Sequence, residues 1–196
     1  MPRPSLKDQR SAEILDAYLT CVAQFGLEGA TQERIAAQAQ VKRPLLRHYL
    51  GNRDQMVAAL NDHVINTFNA KTRDLVQALD TVETPLALVD LLFVDTKEHD
   101  PRLLLAWQAL TVTAPEHPDR GAALLDSLDQ FLIALTDTLR RLAPEATPAT
   151  LRAVAQGISS AFVTLDSLSP LAPPPNWRAE LRQAALLLTR CLEDAA

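Results

Sequence analysis

Four nitrogen-bearing side chains, Lys42, Arg43, Arg47 and His48, fall within seven consecutive residues of a 196-residue chain. Each can donate a hydrogen bond to a phosphate oxygen or a base edge. Arginine reads bases best, because its planar fork matches the two acceptors of guanine. Val41, Leu46 and Leu50 interleave with the basic residues at a spacing that puts them on the other side of a helix. One face would then meet a polyanion while a core holds the other. Other chemistries lack their signatures. The four histidines (His48, His63, His99 and His117) show no ligand spacing, and the two cysteines form no Cys-x-x-Cys. No nucleophile elbow, phosphate loop or convincing carboxylate pair occurs. No catalytic residue, metal site or cofactor is therefore expected.

A helix with such a face must be presented by neighbours, and the flanking residues supply them. Residues 9–25 read as a helix whose Ile14, Ala17, Tyr18, Cys21, Val22 and Phe25 form one apolar stripe. Gly26 ends it. Thr31 suits the N-cap of a short helix at 32–38, with Ile35 and Ala36 facing inward. The turn Ala39-Gln40-Val41 leads to a third helix at 42–50, with Pro44 in its first turn and Gly51 after its last. Two short helices around a three-residue turn, packed under a longer one, meet the physical requirement of a helix-turn-helix, whose second helix enters the major groove. A fourth helix at 54–79 carries Val57, Leu60, Val64, Phe68, Leu75 and Leu79 on one stripe.

The remainder is also helical, with segments at 86–98, 102–113, 118–142, 148–168 and 176–193 cut apart mostly by proline. Ser-Pro-Leu-Ala-Pro-Pro-Pro at 169–175 is the clearest loop. No period-2 alternation or hairpin signal appears. The chain is expected to be all-α, with about nine helices: a helix-turn-helix domain at 1–53 and a larger helical domain at 54–196.

Charge is distributed to match. The chain has a net charge of −5, yet residues 1–59 hold eight basic against six acidic side chains, and the rest eleven against eighteen. A basic head on an acidic body fits a protein whose head alone meets phosphate. No apolar run approaches the roughly 20 residues that span a membrane. The N-terminal MPRPSLKDQR has no apolar core, so it does not read as a signal peptide, and a cytoplasmic location is expected. Cys21 and Cys191 sit at apolar helix positions and read as buried free thiols.

Residues 10–60 resemble the tetracycline-repressor (TetR) family of bacterial regulators. The matching positions are Phe25-Gly26, Ala30-Thr31, Ile35-Ala36, Ala39, Val41, Leu46, His48-Tyr49-Leu50 and Asn52-Arg53-Asp54. The departures lie in and just before the third helix. Gln40 stands where the family usually has Gly in a turn that prefers positive φ, at a strain of about 1 kcal/mol. Lys42 replaces the usual Ser or Thr, so the third helix lacks a side-chain N-cap. Leu45 and Arg47 replace a small residue and a Tyr. These changes bear on which DNA sequence is read more than on whether DNA is bound. The resemblance implies that Thr31 and Gln32 hold a phosphate at the start of the second helix. It implies further that Arg43, Pro44, Leu45 and Arg47 face the bases. Lys42, His48, Tyr49 and Arg53 would touch the backbone.

For the C-terminal domain the resemblance implies a small-molecule cavity and a dimer seam. Aromatic candidates for the cavity are Phe68, Phe93, Trp107, Phe131 and Phe162. Polar candidates are His63, Gln108, Thr111 and Thr164. Each has a bland reading as ordinary packing. Trp177, after the proline loop, reads as an anchor for the last helix. The seam is expected from Gly157, Ser160 and Ala161 of the penultimate helix and Leu181, Ala184, Ala185, Leu188 and Leu192 of the last. A homodimer would set two reading heads on a pseudo-palindromic double-stranded operator. The expected function is a repressor released by an apolar or amphipathic ligand. Two alternatives stay open: a DNA-binding regulator with no small-molecule effector, and a helical enzyme or carrier.

Overall fold

The computed structural model describes residues 6–94 and 100–192. Among them are nine α-helices: α1 (Leu6–Gly29), α2 (Gln32–Gln38), α3 (Arg43–Leu50), α4 (Arg53–Leu79), α5 (Pro85–Phe93), α6 (Arg102–Thr111), α7 (Pro118–Leu142), α8 (Pro148–Ser167) and α9 (Asn176–Arg190). A short 3₁₀ turn, Ser169–Leu171, lies in the proline-rich loop. No described residue forms a strand. The helix expected at 86–98 stops at Phe93, where Val94 turns extended, and residues 95–98 lie outside the described residues, as do His99 and Glu193.

Local chemistry sets the helix ends. Gly26 breaks α1 with φ 71° and ψ 173°, so the chain turns sharply before α2. The Thr31 hydroxyl accepts from the Arg34 N–H at 3.3 Å and caps α2. Thr84 and Thr147 cap α5 and α8 in the same way, each followed by a proline whose missing N–H is not needed there. α4 opens with a reciprocal cap: the Asn52 N–H donates to Gln55 Oε1 at 2.9 Å, and the Gln55 N–H donates to Asn52 Oδ1 at 3.0 Å. Gln40 adopts φ 53°, the left-handed turn expected of it, and Lys42 makes no side-chain cap to α3.

The chain divides into two compact units. One gathers the chain up to Phe68 with Arg102–Leu125. The other gathers Asn69–Pro101 with the chain from Asp126 onward. These packing units differ from the functional division drawn at residue 53, because α6 and the first half of α4 pack with the first three helices. The core of the first unit joins Ile14, Tyr18, Ile35, Leu46 and Leu60 to Ala106, Leu110 and Leu124. In the second unit, α8 and α9 pack closely at Gly157, where a Cβ would come within 2.5 Å of Leu188 Cδ1. Leu88, Leu135, Leu151, Ile158 and Ala185 are buried there.

That packing corrects part of the expected seam. Ala185 and Leu192 are fully or almost fully buried within the single chain, and Gly157 and Leu188 pack on each other. Ala185 and Leu188 thus face inward on α9, which packs against both α8 and α5. Ser160 and Ala184 stay exposed, while Ala161 and Leu181 are half-buried. Trp177, expected to anchor α9, is 40% exposed. Cys21 is buried as expected, but Cys191 is exposed.

Candidate nucleic-acid interface

Within the first unit, α3 is held by two side chains. Leu46 and Leu50 are its buried residues. Half-buried Val41 and Tyr49 pack against the same core. The opposite side is open: Lys42, Arg43, Pro44, Leu45, Arg47 and His48 are all exposed. This is the two-faced helix that the residue spacing predicts.

The exposed donors differ in how they are engaged. The Arg43 guanidinium reaches back to α2, donating to Gln32 Oε1 at 3.2 Å and pairing with Glu33 at 2.6 Å. Both ends of that ion pair are well solvated, so it is weak. Gln32 also points its Nε2 at Met56 Sδ, 3.8 Å away. Arg47 makes no hydrogen bond or ion pair among the described residues. The His48 and Tyr49 rings meet edge to face with centroids 5.1 Å apart. Thr31 and the start of α2 lie exposed in the same unit, with Arg34 stacked over the Phe25 ring at 4.3 Å.

Arg53, expected from the resemblance to touch the DNA backbone, is engaged within the unit. It is half-buried and donates inward, to the Tyr18 hydroxyl at 3.0 Å and to the carbonyls of Ala30 at 3.0 Å and Leu27 at 2.5 Å. Next to it, Asp54 receives Arg120 at 3.1 Å and lies 3.4 Å from His117 Nε2. Burial pushes the Tyr18 hydroxyl pKa above its usual value, against the opposing pull of Arg53.

The residues expected to line a cavity are divided between the units. His63, Phe68, Trp107, Gln108 and Thr111 belong to the first, and Phe93, Phe131, Phe162 and Thr164 to the second. Phe68 and Trp107 pack on the core of the first unit. Thr111 is exposed, and its hydroxyl returns to the Gln108 carbonyl at 2.6 Å. Burial lowers the His63 pKa, with Asp16 pulling the other way. In the second unit the Phe162 ring lies 6.1 Å from Phe93 and 6.3 Å from Phe131, and the Thr164 hydroxyl is satisfied by the Ser160 carbonyl.

An open groove of about 470 Å³ in the second unit runs between α4 and α7 and holds none of these residues. Buried Thr72 and Thr138 line it, together with Asn69, Arg73, Asp137 and Arg141. Sequence periodicity passes over such polar residues, since it follows apolar stripes. No group of three or more His, Cys, Asp or Glu side chains among the described residues is placed to hold a metal. Among the described residues no helix is long and apolar enough to cross a membrane.

No family model matches the chain. It is 31% identical over 111 residues to the HTH-type transcriptional regulator BetI of Burkholderia cenocepacia, a match that spans 56% of this chain and 57% of the relative. Solved structures match over nearly the whole length. A TetR transcription regulator from Haloarcula marismortui superposes with a TM-score of 0.68 at 15% identity, over 93% of this chain and 97% of that one. A candidate transcriptional regulator from Pseudomonas aeruginosa PAO1 gives 0.69 at 25% identity, over 96% and 92%. The transcriptional regulator FadR of Bacillus subtilis, solved with stearoyl-CoA, gives 0.60 at 15%, over 90% and 96%. In fold the chain is similar to solved TetR-type regulators, and in sequence it is similar to HTH-type transcriptional regulators over about half of its length.

Proposed function

We propose that this chain is a sequence-specific DNA-binding transcriptional regulator, a cytoplasmic repressor that leaves its operator when a small molecule binds it. One observation carries the reading. α3 buries Leu46 and Leu50 and turns Arg47 outward, exposed and unengaged, on a helix about as wide as the roughly 12 Å major groove. Arg47 and Arg43 read base edges, and Pro44 and Leu45 lie against the bases. Lys42, His48, Tyr49, Thr31 and Gln32 hold the backbone. Reading is assigned to residues 1–53, effector binding and dimerisation to 54–196.

A homodimer matches two heads to a pseudo-palindromic operator. Ser160, Ala161 and Ala184 are the seam residues left outward or half-outward, and Leu187 beside them is 50% exposed. The effector is apolar or amphipathic. Support comes from the Phe93–Phe162–Phe131 aromatic contacts and from the acyl ligand that FadR holds. Such a ligand shifts the operator equilibrium only by its differential affinity for the bound and released conformations.

The test is selection of genomic fragments with the purified full chain, followed by titration of the winning site with wild type and Arg47→Ala. One pseudo-palindromic motif is expected, weakened by about 1–3 kcal/mol per head in the variant. Salt-dependent binding with no motif would refute the sequence-specific reader.

A further inference from the structure

Arg53 opens α4, yet its guanidinium spends three donor contacts on the head itself. The Tyr18 hydroxyl lies in the middle of α1, the Leu27 carbonyl just past the Gly26 kink, and the Ala30 carbonyl in the link to α2. Carbonyls at a helix end lack intrahelical partners, and a cation there also answers the helix dipole. Tyr18 is fully buried, so its hydroxyl is a fixed post and not a mobile surface group. The Arg53 guanidinium carbon sits 5.8 Å from the Tyr18 ring centroid, which adds a second attraction. Ala30 is two residues before α2, whose N-terminal turn and Thr31 form part of the surface assigned to phosphate.

We propose that Arg53 is a positioning residue: its three-way clamp on Tyr18, Leu27 and Ala30 fixes the height and angle of the α2 N-terminus relative to α4, and it is not itself a phosphate ligand. The inference rests on the DNA-binding reading for its consequence, but the clamp acts in the free protein. A fork with several donors is required. Lysine would keep the charge as a point without the fork.

Two measurements on the full chain decide it. The first is amide hydrogen exchange of the free protein. The Ala30, Thr31 and Ile35 N–H groups, which donate to the Gly26, Gly29 and Thr31 carbonyls, form the joint that the clamp supports. Arg53→Gln and Tyr18→Phe should both speed exchange there, Tyr18→Phe the less, since it keeps the ring and removes one acceptor. Unchanged exchange in both variants overturns the proposal, whether or not DNA is bound.

The second is operator affinity against salt for wild type, Arg53→Gln and Arg53→Lys. A positioning residue loses roughly tenfold to a hundredfold in affinity on either change, with the slope of log K against log salt unaltered. A phosphate ligand would lower the slope by about 0.9 per head in Arg53→Gln and leave Arg53→Lys near wild type. That second pattern also overturns the proposal. If wild type selects no operator, the DNA-binding reading fails by itself and the exchange data alone judge the clamp.

Discussion

Leu46→Ala tests the claim that α3 stands only because the core holds it. The helix has eight residues, too few to persist alone in water, and its buried side chains are Leu46 and Leu50. Leu46 is fully buried among the residues of the first-unit core. Truncation removes three carbons, worth about 2.4 kcal/mol at roughly 0.8 kcal/mol per buried methylene. The cavity left behind raises the total toward 3–4 kcal/mol, within the measured range of about 2.7–5.0. For a chain of this length, each kcal/mol lowers Tm by roughly 2–4 °C, so a fall of about 6–16 °C is expected by circular dichroism. Operator binding should fail well below that midpoint, because α3 frays before the rest unfolds. A Tm within about 2 °C of wild type, with full operator binding, would mean that Leu46 does not anchor α3 and that the helix is wrongly phased.

Two further outcomes follow from single buried polar groups. Burial lowers the His63 pKa below its ordinary 6.5, so the folded chain resists protonation more than the unfolded chain does. Its contribution is present in full above about pH 6.5 and is lost as pH falls from there toward the folded-state value. Urea midpoints should therefore drop across that window in wild type, and His63→Gln should flatten the drop; an identical pH profile in the variant would remove His63 as the cause. Asn61 is 2% exposed, and its Oδ1 has no hydrogen-bond partner. An unsatisfied buried amide oxygen is worth about 1–3 kcal/mol of instability, so Asn61→Leu should raise the urea midpoint at unchanged slope. A lower midpoint would show that the site has no room for the larger side chain.

The head was legible because its signals are local. Thr31, Pro44 and Gly51 mark helix ends by their own backbone chemistry, and the Leu46/Leu50 spacing sets which side of α3 faces inward. The left-handed Gln40 is what the family resemblance implied, since Gly is usual at that turn position. The last helix was not legible to the same degree. Its apolar residues cover more than half its girth, so sequence alone does not say which row faces inward. Tertiary packing decides that: the missing side chain of Gly157 admits Leu188, and α5 covers α9 as well. The groove between α4 and α7 was harder still to foresee, since a cavity depends on helix spacing, and its Asn69, Thr72 and Thr138 carry no periodic mark.

Arg53 carries contacts that the sequence did not show, and their cause is general. In sequence it is a cation beside a basic helix, which reads as a phosphate contact. In the fold it meets the Leu27 and Ala30 carbonyls, left without helical partners by the Gly26 break. Arg141 does the same at the other end of α4, donating to the Leu79 and Val82 carbonyls at 2.8 Å each. Both arginines come from far along the chain and donate to backbone carbonyls at a helix end. A helix that ends without spare donors nearby draws a cation inward, because an unpaired carbonyl there costs more than a solvated guanidinium gains at the surface. Under the proposed DNA-binding reading, the arginines to assign to bases are those with no such carbonyl in reach, and Arg43, which meets only the side chains of Gln32 and Glu33, is one of them. Arg47 is the other, and it stays unengaged, whereas Arg53 turns to the core.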